Sequence, residues 1–258
     1  MHAEIASAPA APERPNEDWV SVAGPADGQG GALVLLDGVT PPLDDDGCTH
    51  SVPWFVTRLG GALTELSTSR RDLTLAEVLA ESIRRTADAH RLTCDLSHVR
   101  TPQATVVVAR WDAVELEYLV LADSVLLLRA PGGAVRAVLD DRLARLPASS
   151  LVSHAVVDST VRNREGGFFT AAADPSVAAR AVTGSAPRSE VAALAALSDG
   201  ASRWTELFAA GDWADCLEVL RTEGPRSLIA RVRALEQSPP LPVRGKTHDD
   251  ATAAYVEW

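Results

Sequence analysis

The chain has 258 residues, 46% of them hydrophobic, and a formal net charge of -11, a composition that can bury a substantial core in one large domain or two small ones. The acidic balance, with no basic cluster interleaved with aromatics, excludes nucleic acid and an anionic membrane as main partners. Three widely spaced cysteines, Cys48, Cys94 and Cys216, argue against a disulfide framework and a zinc knot, and no apolar run of membrane-span length or secretory leader occurs, so a cytoplasmic protein is expected.

Residues 7–15 are rich in Pro and Ala and read as extended, after a short edge strand around Ile5. Trp19 to Ala23 and Ala32 to Leu36 read as a hairpin whose turn, Gly24 to Gly31, carries five Gly or Pro among eight residues. Ser51 to Leu66 and Leu75 to Thr93 have helical periodicity, and Thr74 with Glu77 forms a capping box for the second. Val106 to Ala109, Val114 to Leu121, Val125 to Arg129 and Val135 to Leu139 read as short strands. A helix is expected near Ser150 to Val161, a loop at Arg164 to Gly167 and a strand near Ala179 to Thr183. Val191 to Leu197 reads as a strand, Thr205 to Ala210, Trp213 to Glu223 and Ser227 to Glu236 as helices, Pro239 to Thr247 as a loop, and Ala251 to Trp258 as a closing strand. Runs of strands rather than strict alternation with helices predict an α+β fold, and no linker divides the chain, so residues 1–258 are expected to form a single domain.

Several apolar runs stop abruptly at an acid: Ala32 to Asp37-Gly38, Tyr118 to Asp123-Ser124, and Val191 to Asp199-Gly200. In reverse order, Glu17-Asp18 and Asp249-Asp250 open such runs. A carboxylate at the rim of a buried strand is costly unless a cation compensates it. Several such rims suggest acids gathered around hard divalent ions, which take oxygen ligands and can activate water against a phosphoryl group. Each acid taken alone is also an ordinary turn or cap residue; their number and order favour the metal reading.

That order resembles the metal-dependent serine/threonine phosphatases of the protein phosphatase 2C family. Asn16-Glu17-Asp18, Leu35-Leu36-Asp37-Gly38, Leu121-Ala122-Asp123-Ser124, Leu197-Ser198-Asp199-Gly200 and His248-Asp249-Asp250-Ala251-Thr252 look like five family motifs in family order. The resemblance implies a four-layer α-β-β-α sandwich with two antiparallel sheets and two Mn²⁺ or Mg²⁺ ions at one edge. It implies that Asp37 bridges both ions, with the Gly38 carbonyl on one. Asp199 and Asp249 would complete the first site, Glu17 would serve the second, and Asp18 would stand behind these ligands; His248, because it adjoins Asp249, is a candidate acid or base behind them. Asp123 falls where the family has a weaker third ion. A metal-bridging hydroxide would attack phosphorus without a covalent intermediate. A phosphorylated protein substrate and a cognate Ser/Thr kinase are the implied partners in signalling.

The departures are specific. Val39-Thr40-Pro41-Pro42 replaces the glycine-rich continuation of the second motif, and Arg203 stands where the family has an acid, which counts against a third ion. Arg14, one residue closer to Glu17 than the family's phosphate-binding arginine, is the candidate for that role, and Arg162 and Arg164 flank a loop where a phosphorylated substrate could bind. Ala122 replaces a glycine, and Pro102-Gln103-Ala104-Thr105 replaces the usual Gly-Thr-Thr strand. Two functions stay open: an active phosphatase, and a catalytically weak regulatory or binding module on the same fold. Leu36-Asp37-Gly38-Val39-Thr40 is also similar to the motif of haloacid dehalogenase-type phosphatases, but Leu35 occupies the nucleophile's position, which removes their covalent chemistry. His50, His90, His98 and His154 read as scattered surface or packing residues, as do Trp54, Trp204 and Trp213.

Overall fold

A computed structural model describes residues 1–25, 30–41, 46–238 and 247–258. It contains strands β1 (His2–Ala8), β2 (Asp18–Ala23), β3 (Gly31–Gly38), β4 (Ala104–Trp111), β5 (Glu115–Leu121), β6 (Val125–Arg129), β7 (Val135–Val138), β8 (Val182–Pro187), β9 (Ala193–Leu197) and β10 (Ala251–Glu257). Its helices are α1 (Val52–Ser69), α2 (Leu75–His90), α3 (His154–Thr160), α4 (Asp199–Glu206), α5 (Trp213–Glu223) and α6 (Pro225–Glu236). The strands form two antiparallel sheets, ordered β1-β10-β9-β6-β7 and β2-β3-β4-β5-β8.

The side-chain alternation along the strands builds three apolar layers. Leu33 and Leu35 of β3 and Val107 of β4 pack between the sheets against Leu126, Leu128, Leu194 and Val256. The intervening Val34, Leu36, Val106 and Val108 face α1 and α2. On the far side, Val125, Leu127, Ala195 and Tyr255 pack against α4, α5 and α6. The order of layers is therefore helix, sheet, sheet, helix, as expected from the resemblance. Both faces of the central strands are covered, which is why they read as unbroken apolar runs. Helix α1 lies close on β2: a Cβ on Gly60 would sit 2.2 Å from the Trp19 ring.

Local signals account for most element boundaries. Ser51 caps α1, and the Thr74–Glu77 capping box begins α2 as expected. A second capping box, Asp212 with Asp215, begins α5, and Gly224 at φ 84° separates α5 from α6. Some expectations are corrected. The helix read at Thr205 to Ala210 is α4, which begins at Asp199, because the Asp-Gly pair opens a helix instead of a free turn. The Pro/Ala segment is not extended throughout: Arg14 N–H donates to the Ala11 carbonyl at 3.0 Å, closing a turn. The region read as one helix near Ser150 splits into a 3₁₀ turn, Ala148–Leu151, and α3, because Ser153 caps the latter by accepting from Val156 N–H. The strand expected near Ala179 starts at Val182, after a 3₁₀ turn over Pro175–Arg180. Most of the expected loop from Pro239 to Thr247, the centre of the Gly24 to Gly31 turn, and Pro42 lie outside the described residues. Among the described residues, no helix is long and apolar enough to cross a membrane.

Candidate metal centre

Strand pairing brings the acids together. Asp18, the first residue of β2, is registered opposite Asp37 near the end of β3. Thr105 of β4 flanks Asp37 on its other side. In the second sheet, Ser198 N–H donates to Thr252 O and Thr252 N–H donates to Ser198 Oγ, each at 2.9 Å. These bonds hold the end of β9 beside the start of β10. Asp199 then opens α4, and its N–H donates to Asp37 Oδ2 at 3.2 Å, joining the two sheets at the site. Gly200 permits this approach, since a Cβ there would lie 1.9 Å from the Asp250 carbonyl oxygen. Asp123 enters from the turn between β5 and β6.

The electrostatics are those of crowded anions. Burial pushes the Asp37 carboxyl well above the usual carboxylate range, and the charges of Asp199, Asp18, Asp123 and Asp249 add to the effect. Burial raises Asp199 to about 7, with Asp123 and Asp249 reinforcing it. Asp18 also rises to about 7 through burial, opposed by the hydroxyls of Thr252 and Ser198. Asp123 is raised by burial, with Glu206 and Asp140 adding to it against Arg162. Both carboxylate oxygens of Asp18 are buried, and the nearby hydroxyls of Thr252 and Ser198 make no well-aligned hydrogen bond to them. Polar oxygens so placed are destabilising unless a cation or water satisfies them. An all-oxygen set of this kind suits Mn²⁺ or Mg²⁺, so the residues fit the ions that the resemblance implies.

Neighbouring backbone and hydroxyl groups orient these acids. Asp250 accepts from the N–H groups of Ala10 and Glu17 at 2.7 and 2.6 Å, clamping the N-terminal segment onto the site. Thr40 Oγ1 donates to Glu17 Oε2 at 2.6 Å, and Gly38 N–H donates to the Glu17 carbonyl at 3.1 Å. Sequence reasoning gave no role to Asp250 or Thr40. The Asp250 clamp depends on where the first residues of the chain fold back, which no local spacing encodes.

Arg203 engages other acids. Its Nη1 is 2.7 Å from Glu236 Oε1, and its Nη2 is 3.5 Å from Asp249 Oδ2. Arg233 donates to the Asp249 carbonyl at 2.6 Å and to Glu236 Oε2 at 2.8 Å. His248 Nδ1 lies 2.7 Å from the same Glu236 oxygen. His248 therefore belongs to a network behind Asp249. Glu236, at its centre, is fully buried on its side chain. Burial alone would raise its pKa, but hydrogen bonds from His248, Arg233 and Arg203 hold it below the usual glutamate range. An acid that the sequence left unassigned, Glu206, lies at the other end of α4, where its charge bears on Asp123 and Asp199.

The acids open into a cleft of about 490 Å³ whose lining includes Asp37, Gly38, Asp123, Asp199, Asp249 and Arg162. Arg162 is held by Asp158 at 3.1 Å and lies over the Phe168 ring. Arg164 lines a neighbouring depression instead. Arg14 is exposed and borders a smaller recess with Glu17, Thr40, His248 and Asp249. Ala122, at the position where the resembling motif has glycine, has φ 66°, and its N–H donates to the buried Asp140 at 2.9 Å.

Two antiparallel sheets between helical layers, with acids converging at one edge, define the protein phosphatase 2C fold, and this chain has it. The serine/threonine phosphatase Stp1 of Staphylococcus aureus superposes with a TM-score of 0.64 at 11% identity, covering 100% of this chain and 95% of that one. The serine/threonine phosphatase of S. agalactiae superposes at 0.63 with 14% identity and 100% of both chains covered. PstP/Ppp of Mycobacterium tuberculosis gives 0.61 at 16% identity, covering 99% and 97%. No protein-family model matches the sequence, and no curated protein matches it.

Proposed function

We propose that the chain is a metal-dependent phosphatase that hydrolyses phosphoserine and phosphothreonine in proteins, opposing a cognate Ser/Thr kinase in cytoplasmic signalling. The observation that carries this reading is the convergence of Asp37, Asp123, Asp199 and Asp249 on one cleft, with Asp18 buried in register beside Asp37. Asp37, the Gly38 carbonyl, Asp199 and Asp249 would hold one Mn²⁺ or Mg²⁺ ion. Asp37 and Glu17 would hold the second, with Asp18 behind them. Asp123, with Glu206 nearby, is the position for a weaker third. When bound, such ions polarise a phosphoryl oxygen and lower the pKa of a water. The chain's own residues orient the reaction: Thr40 and Asp250 hold Glu17, Asp199 N–H holds Asp37, and Arg162 supplies a cationic donor in the cleft for phosphate oxygens. Arg14 borders the recess beside Glu17 and is the second candidate for phosphate.

One observation favours the other reading, a regulatory module with weak or no turnover. Arg203 Nη2 lies 3.5 Å from Asp249 Oδ2, and a guanidinium near a ligand carboxylate competes with a metal ion for it. Hydrolysis of p-nitrophenyl phosphate with Mn²⁺ separates the two. The phosphatase reading expects turnover that Asp37→Asn and Asp199→Asn each abolish. No activity in the unmodified chain, or equal activity in the variants, sinks it. An Mn²⁺-dependent rise in melting temperature without turnover would establish the binding module instead.

A further inference from the structure

Two cysteines and two histidines that looked unrelated in sequence meet on the α1–α2 side of the molecule. Cys48 and His50 lie on the loop between β3 and α1. His90 ends α2, and Cys94 lies in the turn that follows it. Cys48 Sγ is 3.2 Å from Cys94 Sγ, 3.4 Å from His90 Nδ1 and 3.7 Å from His50 Nδ1. His50 Nδ1 is 3.3 Å from Cys94 Sγ. All four ligand atoms lie within 4.8 Å of one another. This corrects the sequence reading, in which the wide spacing of the cysteines argued against a zinc knot and the histidines were scattered surface or packing residues.

We propose that Cys48, His50, His90 and Cys94 form a structural zinc site, separate from the acid cleft, that ties the β3–α1 loop to the end of α2. Two thiolates and two imidazoles are the donor set of a closed tetrahedral Zn²⁺ site. With zinc–sulfur and zinc–nitrogen bonds of about 2.3 and 2.05 Å, the sulfur–nitrogen edges of the tetrahedron are about 3.6 Å and the sulfur–sulfur edge about 3.8 Å. The observed sulfur–nitrogen distances of 3.3, 3.4 and 3.7 Å bracket the first value. The sulfurs need to separate by only about half an ångström to reach the second. A simple disulfide would leave the convergence of both imidazole nitrogens on the sulfurs without a purpose. Hard oxygen-seeking ions such as Mn²⁺ and Mg²⁺ do not suit this soft set, so the two centres select different metals.

The surroundings are built for thiolates. Thr49 N–H donates to Cys94 Sγ and His50 N–H donates to Cys48 Sγ, both at 3.4 Å. The hydroxyls of Thr49 and Thr93 lie 3.6 and 3.5 Å from Cys94 Sγ. Trp54 stacks on His50 with ring centroids 4.0 Å apart, fixing that ring, and His90 is buried at 2% exposure. Gly47, at φ 74°, sets the entry to Cys48, and its carbonyl accepts from Asp95 N–H at 2.7 Å. The proposal does not depend on the phosphatase reading.

The test is metal analysis of the untagged full chain. Zinc equimolar with the chain is expected, retained in Asp37→Asn and lost in the double variant Cys48→Ser/Cys94→Ser. Replacement of zinc by Co²⁺ in the unmodified chain should give a sulfur-to-cobalt charge-transfer band and the intense visible bands of tetrahedral cobalt. That spectrum decides the matter even if the double variant fails to fold. A weak octahedral cobalt spectrum without charge transfer overturns the proposal. So does zinc that survives the double substitution, or a Cys48–Cys94 disulfide in zinc-free protein, detected by peptide mass spectrometry without reduction.

Discussion

Replacing Glu236 with glutamine keeps the shape of the side chain and removes its charge. The buried carboxylate accepts from Arg203 Nη1 at 2.7 Å and Arg233 Nη1 at 2.8 Å, and lies 2.7 Å from His248 Nδ1. Glutamine offers this set one acceptor oxygen and turns an NH₂ group toward at least one donor. Removing one partner of a buried ion pair costs about 3–5 kcal/mol. The Arg203 and Arg233 side chains keep 11% and 20% exposure, so water can reach them. The lower end, about 3 kcal/mol, therefore applies. For a chain of this size that is a fall in melting temperature of about 6–12 °C. The measurement is thermal unfolding by circular dichroism at neutral pH, beside Glu223→Gln as a control. Glu223 pairs with Arg231 at the surface, with 42% and 44% exposure, where water and salt screen the pair, so its loss should leave the midpoint nearly unchanged. A Glu236→Gln midpoint no lower than that of the control would refute the reasoning that the network behind Asp249 is a buried, interdependent unit.

Ala122→Gly should stabilise the protein by about 0.5–1 kcal/mol in urea unfolding, because φ 66° strains alanine and not glycine; an equal or lower midpoint would show that the lost methyl and added chain entropy outweigh the strain. Gly200→Ala should destabilise by about 1–3 kcal/mol and weaken the Mn²⁺-dependent thermal shift, since its Cβ would meet the Asp250 carbonyl at 1.9 Å and push Asp199 away from Asp37. The metal-free protein should lose stability as pH rises from about 4 to 7. Asp18 and Asp199 have folded-state pKa values of about 7 against an ordinary 3.8, so within that window the folded state binds more protons than the unfolded chain. Saturating Mn²⁺ should flatten this slope, whereas a metal-free slope of opposite sign, measured by urea unfolding across the range, would contradict the crowding of these acids. Glu236 works in the other direction, its depressed pKa contributing stability that is lost as pH falls below the ordinary 4.5.

Much of the fold was legible because strands buried on both faces leave long apolar runs, and because caps are local: Thr74 with Glu77 marks α2 within one turn. The strand-ending acids were legible for the same reason, since Asp37, Asp123 and Asp199 each interrupt an apolar run. The α4 start was misread because Asp-Gly serves equally as a turn and as a first helical turn, and only packing on Asp37 and Asp250 chooses between them. Arg203 was seen in sequence as a missing acid. Its actual partners, Glu236 and Asp249, lie 33 and 46 positions away along the chain and had no local signature.

The sequence by itself determined the α+β class and which carboxylates stand at strand ends, because periodicity and apolar run length are properties of neighbouring residues. Only the tertiary structure decided which of those ends share an edge, how Asp250 closes the N-terminal segment over the site, and that Cys48 and His50 meet His90 and Cys94. These are matters of closure between segments about 40 to 240 residues apart. Spacing along a chain cannot report them, since the free energy that brings such segments together comes from burying the sheets and helices between them.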